Sequence, residues 1–216
     1  MNVKDKICLS IGNVDYPMVL EMLGIASLVE LRLDLLNLSN SQLKEVFSIH
    51  TNAIATCRAV NNNHQDAINR LANAIDFGCA YIDVDINTPE TWLKPLVNRA
   101  KELNRKVILS YHNHTCTPAV VELDNVIEKM FDLEASYVKV ACFANSEADC
   151  LTMLGLYTHY QKIIALSMGT LGKISRLAAP TLGAPFTYAS YKGYETAPGQ
   201  IDYHEVEFFL NNYFSK

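Results

Sequence analysis

The feature that most constrains the fold is a regular alternation: short apolar runs of strand length recur from end to end, each followed by a longer amphipathic stretch. The strand-like runs are residues 6–11, 28–34, 53–58, 81–86, 106–112, 137–142, 162–168 and 185–189. Helical stretches follow at 16–26, 41–50, 65–77, 90–103, 117–133, 146–159 and 174–179, and Asp202-x-x-Glu205 opens a last helix. Strands that alternate with helices in this way are parallel, because each helix carries the chain back to the start of the next strand. Eight units predict a single (β/α)8 barrel, and 216 residues lie toward the short end of its range. A doubly wound open sheet is the competing arrangement. It is disfavoured because the first strand leads into Ser10-Ile11-Gly12-Asn13-Val14-Asp15, which is not a glycine-rich phosphate loop.

Local signals agree with this division. Thr88-Pro89-Glu90 and Thr117-Pro118 both read as an N-cap followed by a first-turn proline, and Pro95 predicts a kink in the helix it interrupts. No Gly/Ser linker, charge block or low-complexity segment divides the chain, so residues 1–216 read as one barrel domain. The N-terminus lacks the apolar core of a signal peptide, and no apolar run spans a bilayer. A net charge of −5 argues against nucleic acid or an anionic membrane as a partner. The six cysteines are scattered without a C-x-x-C pair, several of them inside apolar runs, so the expectation is free thiols in the cytoplasm.

In a barrel of this type the chemistry lies at the C-terminal ends of the strands. Glu30, Arg32 and Asp34 alternate along the second strand and share one face, and Asp83 and Asp85 do the same on the fourth. The third strand ends at Arg58 and the fifth at His112. The sixth, Tyr137-Val138-Lys139-Val140-Ala141-Cys142, carries a lysine in an apolar segment. Such a lysine either extends its head to a strand end or is buried, and burial makes an amine a usable nucleophile toward carbonyl groups. Consecutive strands are neighbours, so His112 stands beside Lys139, where an imidazole can move protons. His112-x-His114 has the look of a metal motif, but nearby cations oppose it and no metal is expected. After the seventh strand, Gly169, Gly172, Ser175 and Arg176 suit an anion, and Thr196-Ala197-Pro198-Gly199-Gln200 forms a polar turn able to fold over the mouth. Several cations at the strand ends of an acidic chain point to a small anionic substrate that bears a ketone or aldehyde.

Taken in order, Glu30-Leu-Arg32-Leu-Asp34, Thr56-Cys57-Arg58, Ser110-x-His112, Val138-Lys139-Val140, Ser167-Met168-Gly169 with Ser175-Arg176, and Ala197-Pro198-Gly199-Gln200 resemble the type I 3-dehydroquinate dehydratases. The resemblance implies a cofactor-free enzyme of the shikimate pathway, usually a homodimer. It assigns Lys139 to imine formation with the C3 ketone of 3-dehydroquinate and His112 to removal of the C2 proton and protonation of the leaving C1 hydroxyl. It also places Glu30, Arg32 and Arg58 at substrate-binding positions, Arg176 on the carboxylate, and Gln200 on the lid. Thr196 stands where serine is usual, which keeps a hydroxyl. The chain departs from the family at Asn62, where a glutamate usually pairs with the histidine, and this implies a less basic imidazole unless Asp66 or Asp85 substitutes. Its short length also implies a reduced N-terminal cover of the barrel floor. The alternatives are another Schiff-base barrel lyase, such as a class I aldolase for a phosphorylated sugar, and a barrel that binds without catalysis.

Overall fold

The computed structural model describes residues 3–59 and 63–213. The alternation is realised as β1 (Ile7–Ile11), α1 (Tyr16–Leu23), β2 (Leu28–Arg32), α2 (Asn40–Ile49), β3 (Ala53–Thr56), α3 (His64–Phe77), β4 (Tyr81–Asp85) and α4 (Glu90–Glu102). It continues as β5 (Lys106–Asn113), α5 (Val120–Asp132), β6 (Tyr137–Phe143), α6 (Glu147–Gly155), β7 (Ile163–Met168), α7 (Lys173–Leu182), β8 (Thr187–Ala189) and α8 (Tyr203–Tyr213). All pairings are parallel, in the order β7-β6-β5-β4-β3-β2-β1-β8. This is the (β/α)8 barrel, closed except that no ladder joins β7 to β8 among the described residues. At that seam α7 packs on both strands, and the Gly169 N–H donates to the Pro198 carbonyl at 3.4 Å.

The strands alternate as their sequences require. Ile7, Leu9, Val29, Leu31, Val107, Leu109, Val138 and Val140 face outward into the layer between strands and helices. Cys8, Leu28, Ile54, Ile108, Ile164, Leu166, Phe186 and Tyr188 form a second core inside the barrel. Below it, Tyr81, Tyr137 and Phe186 close the floor as a triangle of rings with centroids 6.3–6.5 Å apart. A short 3-10 turn, Val3–Lys6, leads into β1, and the Lys6 ammonium donates to the Ala184 carbonyl at 3.4 Å. All six cysteines are free, and only Cys116 is exposed. Among the described residues no helix is long and apolar enough to cross a membrane.

Capping fixes several helix starts. Asp15 caps α1, and Ser39 with Gln42 and Ser146 with Asp149 form reciprocal capping boxes on α2 and α6. Two predicted caps differ. On α4 the capping position is Pro89 without a side-chain bond, because the Thr88 side chain is buried at the edge of the barrel mouth. The α5 helix starts at Val120, since the Thr117 hydroxyl donates across to the Phe143 carbonyl at 3.1 Å instead of to its own helix. The second strand also stops early. It ends at Arg32, and Leu33–Leu35 turn as a 3-10 segment. Asp34 therefore leaves the strand face and curls back to hold Arg32 through two bonds, 3.1 Å from Nε and 2.7 Å from Nη2.

Candidate active site

Inward positions at mid-height on the first six strands carry polar side chains that bond to one another through hydrogen bonds and ion pairs. Ser10, Glu30, Thr56, Asp83, Ser110 and Lys139 are each 7% exposed or less. Glu30 accepts from the Ser10 hydroxyl through Oε2 and from Thr56 Oγ1 through Oε1 at 2.7 Å. Asp83 accepts from Ser110 Oγ at 2.6 Å, from Arg58 Nη2 at 2.8 Å and from Lys139 Nζ at 3.1 Å. Glu30 Oε1 lies 3.7 Å from the same ammonium, and the face of Tyr188 lies 3.9 Å beneath it. Lys139 is thus buried but not isolated. Two carboxylates and a ring hold its nitrogen in place, and this arrangement overcomes the cost of removing a charge from water.

The register sets the relation to His112. Ser110 pairs with Lys139 and His112 with Ala141, so His112 lies one inward step above the lysine on the adjacent strand. Both side chains face one cavity of about 410 Å³, which is also lined by Glu30, Arg32, Arg58, Arg176, Thr196 and Gln200. The eight residues to which the family resemblance gives a role therefore border a single space. Position 62, where asparagine replaces the usual glutamate, lies outside the described residues, and Asp66 is the exposed first-turn acid of α3.

The arginines divide by role. Arg32 is committed to Asp34 and Arg58 to Asp83. Arg176 is buried and donates from Nη2 to the Pro198 carbonyl at 3.3 Å, and its Nε has no hydrogen-bond partner among the described residues. Burial pushes its guanidinium down to about 10, partly offset by Glu195 and Glu30. Among these arginines it is the one whose charge faces the cavity without a carboxylate in hydrogen-bond contact. The turn after β8 lies over the mouth. Arg32 Nη1 donates to the Thr196 carbonyl at 3.0 Å, the Thr196 and Ser10 hydroxyls are 2.8 Å apart, and Gln200 Oε1 accepts from the Thr196 N–H at 2.7 Å. Gly199 permits this approach: its φ is +78°, and an added Cβ would stand 2.4 Å from the Gly169 carbonyl oxygen.

Electrostatics separate the acids from the base. Burial alone would raise the Asp83 carboxyl, but Arg58 and then Lys139 and His112 overcome it and hold it well below the usual carboxylate range. Burial and the neighbouring Arg58 push the His112 imidazole down to about 4, against an upward pull from Asp85. Its ring is neutral at physiological pH and able to accept a proton. The rings of His112 and His114 stack 6.1 Å apart, and among the described residues no group of three or more His, Cys, Asp or Glu side chains is placed to hold a metal.

Sequence reasoning gave no site role to Ser10, Thr56, Ser110 or Tyr188, although Thr56 and Ser110 lie within the family motifs. The first three are small hydroxyl residues at inward positions beside the acids, a signal readable only after the faces are assigned. It also missed His64, the first residue of α3, which borders the cavity.

Fold and site together define a parallel-barrel protein with a buried lysine among carboxylates and a neutral imidazole one strand away. The chain belongs to the type I 3-dehydroquinase family, whose model matches residues 8–216. It is 33% identical over 189 residues to a 3-dehydroquinate dehydratase of Methanocaldococcus jannaschii, covering 83% of this chain and 84% of that one. With a 3-dehydroquinate dehydratase of Methanococcus maripaludis it shares 35% identity over 199 residues, 88% and 89% of the two chains. The crystal structure of the 3-dehydroquinate dehydratase from Aquifex aeolicus superposes with a TM-score of 0.80 at 28% identity, covering 97% of this chain and 99% of that one.

Proposed function

We propose that the chain is a 3-dehydroquinate dehydratase, a carbon–oxygen hydro-lyase that converts 3-dehydroquinate to 3-dehydroshikimate through an imine on Lys139. The observation that carries this reading is the Lys139 amine, buried in the mouth of the barrel and sharing its cavity with a neutral His112. The Lys139 ammonium passes one proton to His112, the freed amine attacks the C3 ketone, and His112 returns that proton to the departing oxygen, so that water leaves and a protonated imine remains. His112 takes a proton from C2, and the electron pair flows into the imine nitrogen to form an enamine. The enamine expels the C1 hydroxyl, which receives the proton from His112 and departs as water. A second water hydrolyses the imine, restoring the lysine and releasing the enone product. Over the cycle one water is lost and each protein group returns to its starting state.

Asp83 accepts a hydrogen bond from the lysine nitrogen, Glu30 lies 3.7 Å from it, and together they hold it toward the carbonyl while it changes charge. Arg176 grips the substrate carboxylate, and Arg32, Arg58, Thr196 and Gln200 complete the pocket around the hydroxyls. Residues 1–216 act as one domain, and the free cysteines, acidic charge and family resemblance support a cytoplasmic homodimer of aromatic amino acid biosynthesis. Incubation with 3-dehydroquinate followed by borohydride is expected to leave a reduced adduct on the Lys139 peptide, while product forms without borohydride. Absence of that adduct despite turnover would remove the imine from the scheme. A sugar-phosphate aldolase would give neither adduct nor product with this substrate.

A further inference from the structure

Three carboxylates project from the inward faces of β2 and β4, and two of them are fully engaged. Glu30 uses both oxygens on Ser10, Thr56 and Lys139. Asp83 uses both on Ser110, Arg58 and Lys139. The third, Asp85, is different. Its Oδ1 accepts the Asn87 backbone N–H at 2.9 Å, which anchors the group, and its Oδ2 lies 3.5 Å from His112 Nδ1. That nitrogen is buried and has no hydrogen-bond partner within normal range among the described residues. The strand register enforces the proximity: Asp85 pairs with Ser110, so His112 stands one inward step along the neighbouring strand.

Resting on the reading of His112 as the proton carrier, we propose that Asp85 is its positioning residue. Asp85 keeps the proton on Nδ1 and leaves the Nε2 lone pair free to meet the substrate. A carboxylate beside Nδ1 selects the tautomer in which that nitrogen is the donor, and it stabilises the imidazolium that forms when the C2 proton arrives. The 3.5 Å separation is longer than a hydrogen bond, and catalytic bonds of this kind tighten in the substrate complex. The other charged or titratable groups around the ring act against the cation or are already committed. Arg58 and Lys139 repel it, Asp83 is occupied, and His114 stacks on its face at 6.1 Å. The role falls on β4.

Nitrogen-15 NMR of His112, assigned by comparison with His112→Gln, reads the tautomer in the intact protein. The expected result is a protonated Nδ1 in the wild type and a mixed population in Asp85→Ala. A wild type carrying its proton on Nε2 would overturn the proposal whether or not any variant folds. Kinetically, Asp85→Ala is expected to lower kcat by about 10²-fold, the low end of what a general acid–base group contributes, with KM within about threefold. Its acid limb should also move to lower pH, because the group that raises the imidazole pKa has gone. Asp85→Glu should recover part of the loss, whereas a merely structural role would leave the tautomer and the pH profile where they were. Wild-type enzyme that turns over with an Asp85→Ala variant of equal kcat would refute the positioning role and leave the dehydratase reading intact. Wild-type enzyme without turnover would refute that reading first.

Discussion

Lys106 and Lys139 stand on the inward faces of neighbouring strands, and each places its ammonium over aromatic rings, yet their surroundings differ completely. Lys106 lies at the floor, 5.1 Å from the centroid of Tyr81 and 5.9 Å from that of Tyr137. It is exposed, and its ammonium donates a long hydrogen bond to the Tyr81 hydroxyl at 3.4 Å. Lys139 lies at mid-height, 3.9 Å over Tyr188, and is held by Asp83 and Glu30. An exposed cation on a ring is worth about 0.5–1 kcal/mol and keeps its water. A buried one must be held by charges that remain when the substrate arrives, and those charges then act on the reaction. Depth along the barrel, more than residue type, separates a stabilising lysine from a reactive one.

The sharpest way to break this comparison is to remove each amine. Lys139→Ala is expected to lose both turnover and borohydride trapping with 3-dehydroquinate, whereas Lys106→Ala should keep kcat within about twofold, because its head faces solvent and no reacting atom. Equal losses in both variants would mean that depth does not matter. Next in size, His112→Ala should lower kcat by about 10²- to 10⁴-fold while still giving an adduct at Lys139, visible by mass spectrometry. The two ends can also be separated by stability. Phe186→Ala should cost about 3–5 kcal/mol in urea unfolding through the hole left in the floor, with kcat per folded molecule unchanged. A smaller effect is expected from Arg176→Gln: a KM raised about 10- to 100-fold with kcat little changed, matching the loss of a charged hydrogen bond worth about 1.5–3 kcal/mol.

The smallest effect is in the pH profile. His112 is pushed down to about 4, chiefly by burial, so the free enzyme carries the neutral base at any pH above that value. Activity measured as kcat/KM should hold through the range where an ordinary histidine, near pKa 6.5, would already be protonated, and fall only as pH drops through about 4. The same shift makes folding stability decrease as pH falls from about 6.5 toward 4, because the unfolded chain binds a proton that the folded one refuses. A profile that falls near pH 6.5 would show that His112 is better hydrated than its burial implies.

Much of this was legible beforehand, and the exceptions have local causes. Glu30 and Arg32 were placed correctly on one face because alternation is a property of the strand itself. Asp34 was not, since Glu-Leu-Arg-Leu-Asp-Leu continues to alternate through a 3-10 turn. The ladder to β3 ends where Arg32 meets Thr56, which ends the strand, and no residue pattern records that. Thr117 carries a helix-cap signal, but its hydroxyl bonds across to β6 because a partner from another strand lies within reach. The hydroxyls of Ser10, Thr56 and Ser110 have nothing distinctive about them until neighbouring strands align them with Glu30 and Asp83.

The amino-acid sequence alone determined the eightfold alternation, the inward set of acids and bases, and the strand that carries the lysine, because each of these depends on residues close together in the chain. Only the tertiary structure decided which carboxylate meets which cation: Asp34 with Arg32, Asp83 with Arg58 and Lys139, and Asp85 beside His112. The physical reason is that an ion pair between strands depends on register and depth inside a closed barrel, and both are set by the packing of all eight strands together.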